Sequence, residues 1–381
     1  MRTLKAVIAA LSLVCVSLIS AESVPAATYV YVSNADDGNI GLYTLASDGT
    51  LKPGDKFDAG GKPVMPMSVS PDKKYLFAAV RAKPFTAVSY SIDRKSGKLK
   101  EVGRGPLAES FPYIYTDRSG KFLLGASYGA NLVSVNPIGK DGKVGKPLQV
   151  IPTARNAHSI ITDKTNKYAF VPHLGTDQIF QFVFDKGSGK LTANTPPVVQ
   201  MKQGTGPRHI IVSKDNKYAY LINELTATVT TFALDAKTGT LQEIDSASAL
   251  PADTKLGPGQ PRGPVAAGQT PRDTSNDIWA SDLHLTPNGK FLYAAERTSN
   301  SLGAFKVDAA TGKLTYVAST PTEKQPRGFA IDPSGKFAVV SGEKSDTIST
   351  YAIDSETGAL KEIGKYPTGK GANWVEIVSF D

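Results

Sequence analysis

Residues 206–225 read "GPRHIIVSKDNKYAYLINEL": two short apolar runs, 210–212 and 218–222, with the polar turn "SKDNK" between them. β-Branched and aromatic residues in short runs around such a turn are what two antiparallel strands require. Outside the turn, the ionisable residues stand only at the two ends, Arg208 and His209 at one and Glu224 at the other. A hairpin brings those ends side by side.

The same unit recurs along the chain. An aromatic residue following a turn stands at Tyr29, Tyr75, Phe122, Tyr168, Tyr218, Phe291 and Phe337, at spacings of 46, 47, 46, 50, 73 and 46 residues. A second marker, Gly followed two residues later by an aliphatic, keeps step at Gly49, Gly97, Gly142, Gly189, Gly239, Gly312 and Gly358. Turns such as "SGKL" and "TGTL" suit a tight hairpin whose glycine takes positive φ. Four antiparallel strands per period of 40 to 50 residues, repeated seven times, predict an all-β fold, a seven-bladed propeller of four-stranded antiparallel blades. The N-terminus begins with a second strand, "TYVYVSN", and the C-terminus ends with a first one, "NWVEIVSF". The N- and C-terminal strands are therefore expected to share one blade and close the ring, which removes free sheet edges.

With 381 residues the chain has ample length for a core, and 35 Gly and 25 Pro fit a turn-rich β protein. Residues 1–21 place Arg2 and Lys5 before an apolar run and then small residues, the build of a secretory signal peptide. Cleavage is expected after Ala21 or after "VPA" ending at Ala26, leaving residues 27–381 as one propeller domain in the periplasm or secreted, without stable membrane insertion. The single cysteine, Cys15, would leave with that peptide, so neither disulfides nor thiol chemistry enters. Of the 43 Lys and Arg, two lie in the leader, so 41 face 35 Asp and Glu. They form no run, which argues against nucleic acid as a partner and leaves small anionic molecules open. A monomer is expected.

Aligning the repeats on the aromatic collects two polar columns. Ten residues before it stand Met65, Pro112, His158, Arg208, Ser281 and Arg327, followed by Pro66, Tyr113, Ser159, His209, Asp282 and Gly328. Six residues after it stand Arg81, Tyr128, Leu174, Glu224, Arg297 and Glu343, preceded at one position by Asn223 and at another by His173. One column opens the first strands and the other closes the second strands, so both ring the channel mouth on one face of the disc, where rigid strand ends carry ligand sites. Residues 245–278, rich in Pro and Gly, form an insertion expected to emerge on that face, either as a lid or as a plain surface loop.

His158 stands as a general base, a substrate donor or a packed residue. Arg208 and Arg297 are suited to clamping an anion. Glu224 is a general-base candidate, because partial desolvation raises a carboxylate's pKa although the flanking arginines oppose it. Arg81, Asn223, Asp282, Arg327 and Tyr128 are the expected substrate contacts. His173, His209 and His284 are expected to be structural, since the pleat sends alternate side chains between blades. "GASYG", residues 125–129, matches G-x-S-x-G, but a strand rather than a helix follows it, so it is not a nucleophile elbow. No carboxylate-rich calcium loop or metal-spaced His/Asp/Glu set is present, so no metal and no cofactor is expected.

"PMSVSPDKKYLFAAVR", "NAHS", "GPRHIIVSKDNKYAYLINEL", "DLHLTPNGKFLYAAERT" and "QPRGFAIDPSGKF", in that order, resemble the seven-bladed propeller lactonase family. That family includes a bacterial 6-phosphogluconolactonase and a fungal muconate cyclase. The resemblance implies a catalytic cluster of His158, Arg208, Glu224 and Arg297 and a small-molecule lactone or anionic sugar as substrate. A leader peptide points away from a phosphorylated cytoplasmic substrate and towards glucono-1,5-lactone or another aldonolactone. Two alternatives stay open: a binding propeller similar to YVTN surface-layer repeats, suggested by "YVYVSNADDGNI", and a lactone-forming cyclase of muconate type.

Overall fold

The computed structural model describes residues 27–263 and 270–380, so the expected leader peptide lies outside the described residues. It shows seven four-stranded antiparallel sheets arranged as the blades of a propeller. Strands consecutive in sequence pair with each other because the turns joining them are too short for any other connection. Blades 2 to 7 occupy residues 64–106, 113–152, 161–200, 207–248, 280–321 and 329–367. In blade 1 the C-terminal strand Ala372–Phe380 pairs with Ala27–Asn34, and two further strands follow outward to Asp58. Ring closure by the two terminal strands is thus present.

First strands of most neighbouring blades touch one another around the axis. Second strands are buried almost throughout, as in Phe291–Glu296, whereas fourth strands such as Leu51–Asp58 are largely solvated. Apolar clusters fill the gaps between blades; Tyr31 and Leu42 of blade 1, for example, pack with Val88 and Tyr90 of blade 2.

The two repeated markers keep step because they touch. A Cβ on Gly97 would lie 2.4 Å from the Tyr29 ring of the preceding blade, and the Tyr29 hydroxyl donates to the Lys95 carbonyl at 2.6 Å. Gly97 also has φ of 69°, so glycine satisfies both the turn and the ring that covers it. The same contact repeats round the circle, from Gly142 on Tyr75 to Gly49 on Phe337.

The insertion is shorter than its composition suggests. Residues 245–248 belong to the fourth strand Thr240–Ser248 of blade 5, where Asp245 pairs with Thr231. The described parts of the loop proper are residues 249–263 and 270–279.

Candidate active site

The mouth is built where the start of a first strand meets the end of a second. In blade 5 Pro207 pairs with Asn223, and in blade 6 Ala280 pairs with Glu296. Both first strands are interrupted immediately afterwards, between Pro207 and His209 and between Ala280 and Leu283. Such an irregularity breaks the alternation of side chains. Arg208 and His209 are successive residues, yet both reach the channel side.

Glu224 is the centre of the cluster. Its Oε2 accepts from Arg208 Nε at 2.7 Å and forms an ion pair with Arg297 Nη2 at 3.0 Å, and its Oε1 accepts from Trp279 Nε1 at 3.1 Å. His158 Nε2 stands 4.0 Å from Oε2. All four ionisable side chains are buried, and buried charges persist only when paired in this way.

Each guanidinium is also held by backbone. Arg208 Nη1 donates to the Ser281 carbonyl and to His209 Nε2. Arg297 donates from Nε to the Trp279 carbonyl at 3.0 Å and from Nη2 to the Ala280 carbonyl at 2.9 Å. Among the described residues, Arg208 Nη2 and Arg297 Nη1 have no protein acceptor. Two immobilised cations therefore present one free N–H edge each.

Burial alone would raise the Glu224 pKa, but Arg297 and Arg208 outweigh it and hold the carboxyl below its ordinary value. This corrects the expected upward shift, and with both carboxylate oxygens already engaged Glu224 has less free capacity than His158 to take a proton from water. Burial first, then Arg208 and His209, push the His158 pKa well below the usual imidazole range, which favours the neutral ring. Its Nδ1 has no hydrogen-bond partner among the described residues.

The family model of the lactonase seven-bladed β-propeller matches residues 27–377. The chain belongs to this lactonase family. It is 38% identical over 303 residues to the 6-phosphogluconolactonase of Erwinia tasmaniensis, covering 80% of this chain and 84% of that one. The 6-phosphogluconolactonase of Serratia proteamaculans matches at the same identity and coverage. Among solved structures, the periplasmic gluconolactonase of Pseudomonas aeruginosa superposes with a TM-score of 0.81 at 26% identity, over 92% of this chain and 99% of that chain.

Of the other residues expected at the site of this lactonase-family chain, Arg327 and Arg81 come closest to a binding role. Arg327 Nη1 lies 3.4 Å from Glu343 Oε1, and its Nε has no partner among the described residues. Among the described residues, Arg81 bonds only to Ser110 Oγ and the Met65 sulfur, with no carboxylate. Tyr128 stacks edge-on to His158 at 5.7 Å and donates to the Arg262 carbonyl at 3.0 Å. Asp282 pairs with His209 and His284. Asn223 departs from expectation: its amide donates to Thr228 and Thr230 within its own blade, on the opposite side of the strand from Glu224. Of the histidines expected between blades, only His173 is packed in a blade, against Phe180. His209 and His284 line an axial cavity of about 230 Å³ beneath the mouth. A larger cavity of about 730 Å³ lies between turns of blades 5 and 6, away from this cluster.

Trp279 and Arg262 went unnoticed in the sequence. The guanidinium carbons of Arg262 and Arg297 lie 3.5 and 3.7 Å from the Trp279 ring centroid, which two cations manage only on opposite faces. The insertion thus reaches the mouth through Arg262. A signal existed: the chain has only two tryptophans, Trp279 just before one first strand and Trp374 near the start of another. Among the described residues no group of three His, Cys, Asp or Glu is placed to hold a metal ion.

Proposed function

We propose that the chain hydrolyses a sugar lactone after export, using water activated by His158. The observation that carries this reading is the pair of free guanidinium edges, Arg208 Nη2 and Arg297 Nη1, beside a neutral imidazole. Water attacks the lactone carbonyl carbon while His158 takes its proton, and the carbonyl oxygen gains the charge that the two arginines stabilise. Collapse of the tetrahedral intermediate breaks the ring C–O bond, and His158 returns the proton to the leaving alkoxide. The product is the open hydroxy acid, which ionises and releases one proton. Glu224 holds both arginines in place and, at 4.0 Å, favours the transient imidazolium.

Arg81, without a carboxylate partner, and the half-paired Arg327 support an anionic or strongly polar substituent on the substrate. The curated relatives carry the name 6-phosphogluconolactonase and the periplasmic structure that of gluconolactonase, which brackets the substrate as an aldonolactone. The composition of residues 1–21 supports periplasmic or secreted placement. No described helix is long and apolar enough to cross a membrane.

The test is proton release in a pH-stat with glucono-1,5-lactone and its 6-phosphate, against spontaneous hydrolysis. Catalysed release should fall by about 10²- to 10³-fold in Glu224→Gln, which frees both arginines to move. Absence of release above background on both lactones overturns the reading and favours a binding propeller or a cyclase.

A further inference from the structure

We propose that His209, Asp282 and His284 form a positioning chain that aims the free edge of Arg208. The proposal rests on the lactonase reading for the purpose of that aim, while the arrangement itself stands on geometry. A guanidinium only donates. His209 Nε2, 3.0 Å from Arg208 Nη1, must therefore be the unprotonated acceptor. The ring proton then sits on Nδ1, 2.9 Å from Asp282 Oδ1, which accepts it. Asp282 Oδ2 accepts in turn from His284 Nε2 at 3.1 Å. Every proton in the chain is assigned by the donor at its upper end.

The imidazole cannot easily turn away from this duty. Its ring is packed edge-on against Tyr113 at 4.9 Å and His158 at 5.2 Å, with Trp374 at 6.2 Å. Arg208 is therefore held by Glu224 on Nε and by the Ser281 carbonyl and His209 on Nη1, and only Nη2 is left to point outwards. Removing the His209 acceptor leaves one Nη1 hydrogen unsatisfied in a buried place, and the guanidinium plane loses a restraint. Burial holds the His209 pKa down at about 4, in keeping with a neutral ring. Neither His209 nor Asp282 needs to touch the lactone. They act through Arg208, as outer partners of a reactive group commonly do.

Two readouts on the full chain decide the matter. Long-range ¹H–¹⁵N correlation spectra of ¹⁵N-histidine-labelled protein, assigned with His209→Gln, should show a neutral His209 carrying its proton on Nδ1 near pH 7. In kinetics, His209→Gln keeps an acceptor oxygen and should hold kcat within about threefold, whereas His209→Phe fills the space without one and should lose roughly 10- to 100-fold in kcat at nearly constant KM. A proton on Nε2, a charged ring, or equal kcat in the two variants would overturn the proposal. A wild-type chain that turns over no lactone would sink the lactonase reading instead, with the tautomer still deciding the chain of hydrogen bonds.

Discussion

On the face opposite the mouth, Asp163 is buried and its carboxylate is filled from nearby: Oδ1 accepts from the amides of Lys167 and Tyr168, and Oδ2 accepts from Thr165. One bond crosses to the next blade, from Asn216 Nδ2 at 3.0 Å, and Asn166 reaches Asp117 in the same manner. At the mouth, Glu224 is equally buried, but its partners come from far along the chain: Arg208 at a separation of 16 residues, Trp279 at 55, and Arg297. The turn carboxylate is neutralised by backbone dipoles that exist as soon as the turn forms. The mouth carboxylate is neutralised by two cations, Arg208 from its own blade 5 hairpin and Arg297, which arrives only when blade 6 has docked. Local satisfaction builds a scaffold; distant satisfaction builds a site, and among the described residues it leaves unused valences such as Arg208 Nη2 and His158 Nδ1.

Cutting a distant partner should show the largest effect. Arg297→Met removes one free N–H edge and half of the charge facing Glu224. It is expected to lower kcat by about 10²- to 10³-fold and stability by about 3–5 kcal/mol. Steady-state kinetics and urea unfolding of the same preparation read both.

A buried imidazole without any ion pair probes the intermediate case. His173 is fully buried against Phe180, and burial pushes its pKa down to about 4. The unfolded chain, with an imidazole pKa of about 6.5, takes up this proton first as pH falls. The stability contribution of the neutral ring is therefore present above pH ~6.5 and is lost as pH drops towards 4, by at most roughly 3 kcal/mol. Denaturant melts between pH 7 and 4 should show a shallower acid loss in His173→Phe than in the parent chain.

The smallest change is expected at the far turns. Asp163→Ala strands several amides that partly turn to water, at a cost of about 2 kcal/mol. The kcat of the folded protein should stay within twofold, because the hydrogen bonds of Asp163 run to its own turn and to Asn216 rather than to the mouth. A matching loss of kcat would erase the distinction between the two faces.

Much of this was legible from residues alone. The aromatic and glycine markers repeat because each blade packs the same ring over the same hairpin, as Tyr29 does on Gly97. Such a constraint must be written once per blade. The two polar columns were legible too, because strand order dictates which ends lie together. What escaped were directions and balances. Asn223 turns into its blade, whereas the strand irregularity beside Pro207 lets the successive residues Arg208 and His209 both face the channel. Trp279, at the end of the insertion, carries no repeat signal.

The sequence by itself determined the seven-fold ring, its closure by the chain termini and the face on which His158, Arg208, Glu224 and Arg297 gather, because repeat period and strand alternation are properties of local chain geometry. Only the tertiary structure decided that Glu224 is an anchored anion with a lowered pKa, that His209 faces Arg208, and that Arg262 and Arg297 enclose Trp279. Those outcomes depend on separations of 3 to 4 Å between side chains brought together by packing, and hydrogen bonds are lost and Coulomb energies weakened over smaller shifts than any sequence spacing can specify.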